Sequence, residues 1–293
     1  MTGTKRTAIH YPSFPMRTFV TGASGFIGTA LCAALRAAGH EAVPVSLRGA
    51  APRFDGAQAV VHLAGIAHRG RVDARVLERI NVSLAEEVAH AAAAAGALLV
   101  FLSSVKVHGE ESTARLDERA ELAPRDAYAE SKARAEERLR AVTGLRLTVL
   151  RPPLVYGPGV KANFLALLRA VDRGLPLPFA AIANRRSLLY VGNLADAILR
   201  CLAAPQAAGR SYLIADGAPL STAEICRGMA LALGRPARLF ALPPTLLELL
   251  PGARRLTRSL EVDDGALRRE LGWRPPFDFA QGMAATVHWY RGP

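Results

Sequence analysis

Arg17-Thr18-Phe19-Val20-Thr21-Gly22-Ala23-Ser24-Gly25-Phe26-Ile27-Gly28 decides the fold. A β-branched and aromatic run ends in three glycines spaced three apart, and an apolar helical pattern opens immediately after. Gly22 permits the tight turn. Gly25 lets the main chain approach a pyrophosphate, and Gly28 lets the helix lie close on the strand. A helix N-terminus with free N–H groups favours an anion at that point. A bare glycine triplet is a weak signal, but the strand–turn–helix context makes it a dinucleotide-binding loop. Gly22, Ser24, Gly25, Phe26, Ile27 and Gly28 are therefore candidate cofactor contacts.

Outward from this loop, apolar runs at 17–21, 42–46, 58–63, 97–103 and 145–151 read as strands. Helical patterns at 26–38, 73–95 and 126–142 separate them. Such alternation implies an α/β fold, a doubly wound parallel sheet of the Rossmann kind. Only nine residues, Gly49 to Ala57, separate Arg48, just past the second strand, from the next strand. That is too short for a crossover with its own strand, so the edge strand after the second is expected to be missing or very short. Beyond Arg151, prolines break the chain into short segments. A strand–helix pair at 187–203 and a strand at 211–214 follow, then a mostly helical tail. Thr222–Leu233 is amphipathic, and Pro243–Leu250 reads as a short apolar helix. The expected division is a nucleotide-binding domain from 16–160 plus 187–215, and a smaller, mainly helical substrate lobe from 161–186 plus 216–293. Residues 1–15 read as a disordered arm or an over-long start.

The second strand of such folds usually ends in an acid that binds ribose hydroxyls. Here Ser46 stands in its place and Arg48 follows. Neither repels a 2′-phosphate and Arg48 can pair with one, which favours NADP over NAD.

The net charge is +12, and only Lys5, Lys106, Lys132 and Lys161 among 37 basic residues are lysine. The basic residues are dispersed and no nucleic-acid-binding motif accompanies them, so no nucleic-acid partner is expected. The longest strongly apolar run, Ala91 to Leu102, falls short of the roughly 18 residues of a membrane span. No secretory leader is visible, and Cys32, Cys201 and Cys226 lack metal-ligand spacing. The expectation is a cytoplasmic protein without a metal.

Three more segments carry chemistry. Phe101-Leu102-Ser103-Ser104 runs into Val105-Lys106-Val107-His108-Gly109. Tyr128-Ala129-Glu130-Ser131-Lys132 lies near a helix start, and Arg151-Pro152-Pro153 leaves the last core strand. Tyr128 and Lys132 share a helix face. A lysine there is expected to lower the phenol's pKa. The phenol can then pass a proton to or from a carbonyl or hydroxyl oxygen that a serine holds.

On these motifs the chain resembles the extended short-chain dehydrogenase/reductase family, the nucleotide-sugar epimerases, dehydratases and reductases. The resemblance covers nearly everything from Met16 onward. It implies that Ser104, Tyr128 and Lys132 are catalytic, with Ser103 the alternative serine register. It adds Leu63, Ala64 and Gly65 of the His62-Leu63-Ala64-Gly65 motif, Asn81, Tyr128, Lys132 and Pro153 to the cofactor-binding residues. Ser104, Asn163 and Arg186 match substrate contacts, Arg186 or its neighbour Arg185 on phosphate. Arg254, Arg255 and Arg258 read as solvated, with a second phosphate contact the alternative. Asn193 stands where an aspartate often caps the next helix.

Dehydratases of the family carry an acidic pair where Val105 and Lys106 stand, which disfavours elimination. Lys106 is either structural or a contact for an anionic substrate. The wording Ser-Ser-Val-Lys-Val-His-Gly-Glu is similar to a bacterial polysaccharide-biosynthesis subgroup that reduces UDP-4-keto-6-deoxy-N-acetylhexosamines at carbon 4. That implies an NADP-dependent C4 reductase of a UDP-sugar. The alternatives are a UDP-hexose 4-epimerase holding NAD tightly, and a catalytically idle NADP-sensing relative. The resemblance also implies a homodimer through helices 73–95 and 126–142, with Ala89–Ala95 permitting close packing.

Overall fold

The chain was analysed as a computed structural model that describes residues 15–49, 51–66, 73–250 and 252–292. Apart from Pro15, the segment read as an arm lies outside the described residues.

β1 (Arg17–Thr21) passes through the glycine loop into α1 (Phe26–Ala37), and β2 (Glu41–Val45) returns beside it. β3 (Ala59–His62) leads to α2 (Ala74–Leu77), a π-helical turn (Glu78–Ser83) and α3 (Leu84–Ala94). β4 (Leu98–Leu102), a 3-10 turn (Val105–His108), α4 (Ala127–Arg140) and β5 (Arg146–Arg151) follow. Next come β6 (Leu154–Tyr156), α5 (Ala162–Asp172), β7 (Leu188–Tyr190), α6 (Val191–Leu202) and β8 (Ser211–Leu213). The tail holds α7 (Thr222–Ala232), α8 (Pro244–Leu247), α9 (Arg254–Thr257), α10 (Gly265–Leu271) and α11 (Phe279–Arg291).

Six strands form one parallel sheet in the order β2-β1-β3-β4-β5-β8, and β6 pairs with β7 in a second, two-stranded sheet. Every residue of β3 and β4 is buried, as expected of central parallel strands covered on both faces. β2 is partly exposed and forms an edge. Among the described residues no strand flanks β2 on its outer side, as the shortness of the stretch before β3 predicted.

Successive strand residues face opposite sides. Val20, Val61 and Val100 pack with Leu31 and Leu35 of α1 and Leu194 and Ile198 of α6. Phe19, Val60 and Leu99 pack on the other side with Val88 of α3 and Leu139 of α4. A third cluster joins Phe164 and Leu168 of α5 to Ile225 and Met229 of α7 and Met283 and Val287 of α11.

Four local expectations change. The helix read across 73–95 is interrupted by the π turn, which carries Asn81 inward. Ala89 and Ala92 pack in the protein's own core, so these two positions of the alanine run are not open to a partner. The Pro243–Leu250 helix shrinks to α8. It anchors Leu247 and leaves Leu246, Leu249 and Leu250 exposed, because one turn cannot bury a full leucine set. Asn193 does not cap α6. It is buried within the first turn, where Nδ2 donates to Asp216 Oδ1 at 2.7 Å and to the Phe277 carbonyl at 2.8 Å. None of the described helices is long and apolar enough to cross a membrane.

Candidate active site

The glycine loop is shaped by contacts that tolerate no side chain. Gly22 has φ +68°, and a Cβ there would stand 2.8 Å from the Ala64 nitrogen. A Cβ on Gly28 would lie 2.2 Å from the Gly22 carbonyl oxygen. Gly25 is the N-cap of α1 and no side chain caps it, so first-turn N–H groups stay available for an anion. Ser24 and Gly25 are exposed beside them. The Ile27 side chain packs into the core, which leaves only its main chain for a ligand. Phe26 lies against Gly159, so the loop meets the segment leaving β6.

The motif after β3 closes the other side of this cradle. Thr21 Oγ1 bonds His62 Nδ1 at 2.8 Å and accepts from Ala64 N at 3.3 Å. Burial and the Lys132 charge hold the His62 imidazole down to about 3, so it is neutral. A Cβ on Gly65 would stand 3.1 Å from Asn81 Oδ1 and 3.6 Å from Lys132 Nζ. Leu63, Ala64, Gly65, Asn81 and Lys132 are thereby gathered at one strand end. Asn81 Oδ1 accepts from Ile66 N at 2.8 Å, and Nδ2 donates to Ile66 O at 3.1 Å and Ser131 Oγ at 3.0 Å. At the tip of β2, Ser46 and Arg48 are exposed, and Arg48 has no ion pair among the described residues.

α4 delivers Tyr128 and Lys132. Asp126 caps it, Oδ1 accepting from Ala129 N at 2.8 Å. The Ser104 hydroxyl is a hydrogen-bond partner of the Tyr128 phenol. Burial pushes that phenol up to about 12, the Ser104 bond opposes this, and the Asp126 charge adds to it. Lys132 does not lower it, contrary to the helix-face expectation. Its Nζ instead donates to the Leu102 carbonyl at 2.8 Å and lies 4.6 Å from the Phe101 ring centre. Burial lowers Lys132 to about 8, with Glu136 opposing.

Beneath Lys132 lies an ion network that the sequence reading missed. Arg151 grips Glu136 at two points, Nε–Oε1 at 2.9 Å and Nη2–Oε2 at 2.5 Å, and Arg140 adds a 2.9 Å contact. Arg151 Nη1 donates to His108 Nε2 at 3.0 Å, and His108 Nδ1 donates to the Glu121 carbonyl at 3.0 Å. An arginine only donates and a carbonyl only accepts, so His108 is neutral with its proton on Nδ1.

A cavity of about 510 Å³ opens from Ser104, between Pro153 and the helical lobe. Asn163, Arg186 and Arg255 line it, with Lys106, Glu110 and Phe164. Asn163 follows Ala162, whose φ of +54° is strained for a residue with a Cβ. Arg186 is part-exposed and its Nη1 donates to the Arg258 carbonyl at 3.2 Å. Burial lowers its pKa, the Glu110 charge raises it, and Arg255 lowers it. Arg185 turns away to Glu261 at 2.6 Å, which leaves the phosphate position to Arg186.

Arg255, read as solvated, lines the cavity while Arg254 pairs with Glu111 and Arg258 with Glu248. The signal was present: Arg254 and Arg258 are four apart and share a face, which leaves Arg255 on another. Lys106 is ion-paired to Asp126 and to Glu110, the latter at 2.6 Å, and its Nζ lies 5.9 Å from the Tyr128 ring centre. These pairs give Lys106 a structural part, and it lines the cavity as well.

The comparisons with known proteins agree with this geometry. Residues 18–215 match the NAD dependent epimerase/dehydratase family. The UDP-glucose 4-epimerase of Vibrio cholerae is 33% identical over 93% of this chain and 95% of its own. Among solved structures, DesIV, a dTDP-glucose 4,6-dehydratase from Streptomyces venezuelae with NAD bound, is 27% identical with a TM-score of 0.77, covering 94% of this chain and 97% of that one. RMD from Pseudomonas aeruginosa, complexed with NADPH, is 25% identical with a TM-score of 0.74, covering 94% of this chain and all of that one. With its glycine cradle, its tyrosine–lysine helix and its parallel sheet, the chain belongs to the NAD-dependent epimerase/dehydratase family, the extended short-chain dehydrogenases/reductases.

Proposed function

We propose that the protein is an NADP-dependent reductase acting at carbon 4 of a UDP-sugar, in polysaccharide or O-antigen biosynthesis. The observation that carries this reading is that Ser104, the partner of the Tyr128 phenol, lines one cavity with the Arg186 and Arg255 guanidiniums. The cradle that any Cβ on Gly22 or Gly28 would fill suits a dinucleotide. Gly22, Ser24, Gly25, Phe26, Ile27 and Gly28 would hold its pyrophosphate side. Leu63, Ala64, Gly65, Asn81, Lys132 and Pro153 would hold the nicotinamide side. When bound, the cofactor supplies or takes a hydride.

The chain's own residues manage the proton. Tyr128 is protonated at neutral pH, so it suits donation to a carbonyl oxygen that is becoming an alcohol. Ser104 holds the same oxygen. Lys132, charged below about pH 8, would hold the ribose hydroxyls of the bound cofactor. Arg186 and Arg255 take the diphosphate, for which guanidinium geometry is suited. Asn163 contacts the sugar or diphosphate. The Lys106 charge is already taken by Asp126 and Glu110, so the sugar needs no carboxylate, and Val105 and Lys106 stand where the family's dehydratases carry their acidic pair. Exposed Arg48, beside Ser46, favours the 2′-phosphate of NADP. The division at 160, 187 and 215 then separates cofactor and sugar sites, and the outer faces of α3 and α4 form a dimer.

The second reading is a 4-epimerase with tightly held NAD, favoured by the identity to the Vibrio cholerae enzyme. Denaturing the purified protein and titrating NADPH and NADH distinguishes the two. Reversible binding, tighter for NADPH, supports the reductase. NAD released in near one-to-one amount overturns it in favour of the epimerase.

A further inference from the structure

The cavity wall carries three cationic side chains, Lys106, Arg186 and Arg255, and Glu110 is the carboxylate among its lining residues. Lys106 Nζ at 2.6 Å and Arg255 Nη2 at 3.0 Å converge on the same oxygen of Glu110, Oε1. The Glu110 charge is also felt by Arg186. Glu110 follows the 3-10 turn on a loop and is itself part-exposed, so its side chain has room to swing. Lys106 has a second partner in Asp126, whereas Arg255 pairs with Glu110.

We propose that Glu110 is a built-in competitor for Arg255, a carboxylate that an incoming diphosphate must displace, and that it thereby weakens every anion at the cavity alike, so that only one with further contacts, a nucleotide, stays bound. This rests on the reading that Arg186 and Arg255 receive a nucleotide diphosphate. An inorganic anion gains only the guanidinium contacts and must give back the Glu110 pair to obtain them. A nucleotide adds the contacts of its base and ribose, which offset that loss. Released from Arg255, Glu110 stays with Lys106, so the carboxylate is not stranded.

The test is titration calorimetry with UDP and with inorganic pyrophosphate, the dinucleotide site being saturated with NADPH. Glu110→Gln keeps an acceptor oxygen for Lys106 and Arg255 and removes the charge. It is expected to bind UDP about tenfold more tightly, a change of about 1.4 kcal/mol. Pyrophosphate, which displaces the same carboxylate, should gain by about the same factor. Glu110→Ala, should the glutamine variant fold poorly, is expected to move both affinities in the same direction. Glu110→Asp, which restores the charge, should bring both affinities back towards wild type. Unchanged or weaker binding of UDP or of pyrophosphate in folded Glu110→Gln overturns the proposal. If wild type binds no UDP, or binds it equally after Arg186→Ala and Arg255→Ala, the functional reading fails and takes the proposal with it. If those arginine variants lose UDP while Glu110→Gln changes nothing, only the proposal fails.

Discussion

Lys132 donates from Nζ to the main-chain carbonyl of Leu102, 2.8 Å away, and so ties the Tyr128 helix to the end of β4. The ammonium is buried and sits one turn above Glu136, which favours its charged form against the burial that lowers it to about 8. At neutral pH it is charged; above pH 8 it loses its proton. Cofactor affinity and turnover should therefore hold steady below pH 8 and decline above it. Lys132→Met should lose affinity at every pH and show no such limb. A pH series of NADPH titrations on both proteins checks this.

Tyr128→Phe removes the phenol that meets Ser104. Turnover should fall by about three orders of magnitude, in the range of a lost general acid. NADPH affinity should change little, because the helix and Lys132 are untouched. Retained turnover would remove Tyr128 from the mechanism.

Gly28→Ala drives a methyl group to 2.2 Å from the Gly22 carbonyl oxygen, and main chain must move. Loss of at least tenfold in NADPH affinity is expected, with a lower melting temperature. Gly39→Ala is the control: it also has φ > 0, at +80°, but nothing lies within 4 Å of its Cβ. It should cost stability through strain while leaving affinity unchanged.

Acid should destabilise the fold early. Burial lowers the pKa of His40, His62 and His108, His62 to about 3. Between pH 6.5 and those folded values the unfolded chain binds the proton and the folded one does not. Stability is therefore complete above about pH 6.5 and drops as pH falls, by on the order of 4 kcal/mol for His62 if the fold survives to pH 3. The depressed Glu136 carboxyl, held chiefly by Arg151, adds a loss at lower pH, below the ordinary glutamate range. Urea denaturation at pH 7, 6 and 5 should show the decline. His62→Asn, which keeps an acceptor for Thr21, should flatten it.

Ala162→Gly relieves a left-handed residue at the cavity rim. A gain of up to about 1 kcal/mol is expected once the added freedom of the unfolded chain is subtracted. Thermal melts measure the gain. UDP affinity should fall at the same time, because Asn163 then hangs from a looser turn.

What the sequence made legible was local. The glycine loop and the Tyr128–Lys132 pair depend on spacings of three and four residues that one turn or one helix enforces. The missing edge strand followed from nine residues being too few. What stayed hidden depends on distant segments meeting. Glu110 and Arg255 are 145 positions apart and share a bond only because the tail folds over the cavity. Glu136 and Arg151 lie on different elements, and the helical pattern of α4 did not say which of its charges would be buried. The phenol of Tyr128 was misjudged for a related reason. Spacing put Lys132 on the right face, but the burial that tertiary packing imposes on the phenol raises it, and spacing does not show burial.

The edge at β2 has a cost that the rest of the fold must answer. Among the described residues no strand flanks β2, and its outer side is an open row of main-chain donors and acceptors, on which a strand from another molecule could add itself. Pro44 stands within that strand, opposite Val20, and brings no N–H to it. A short crossover thus leaves an edge without a shield, and a single imino acid works against neighbouring molecules adding strands along that side.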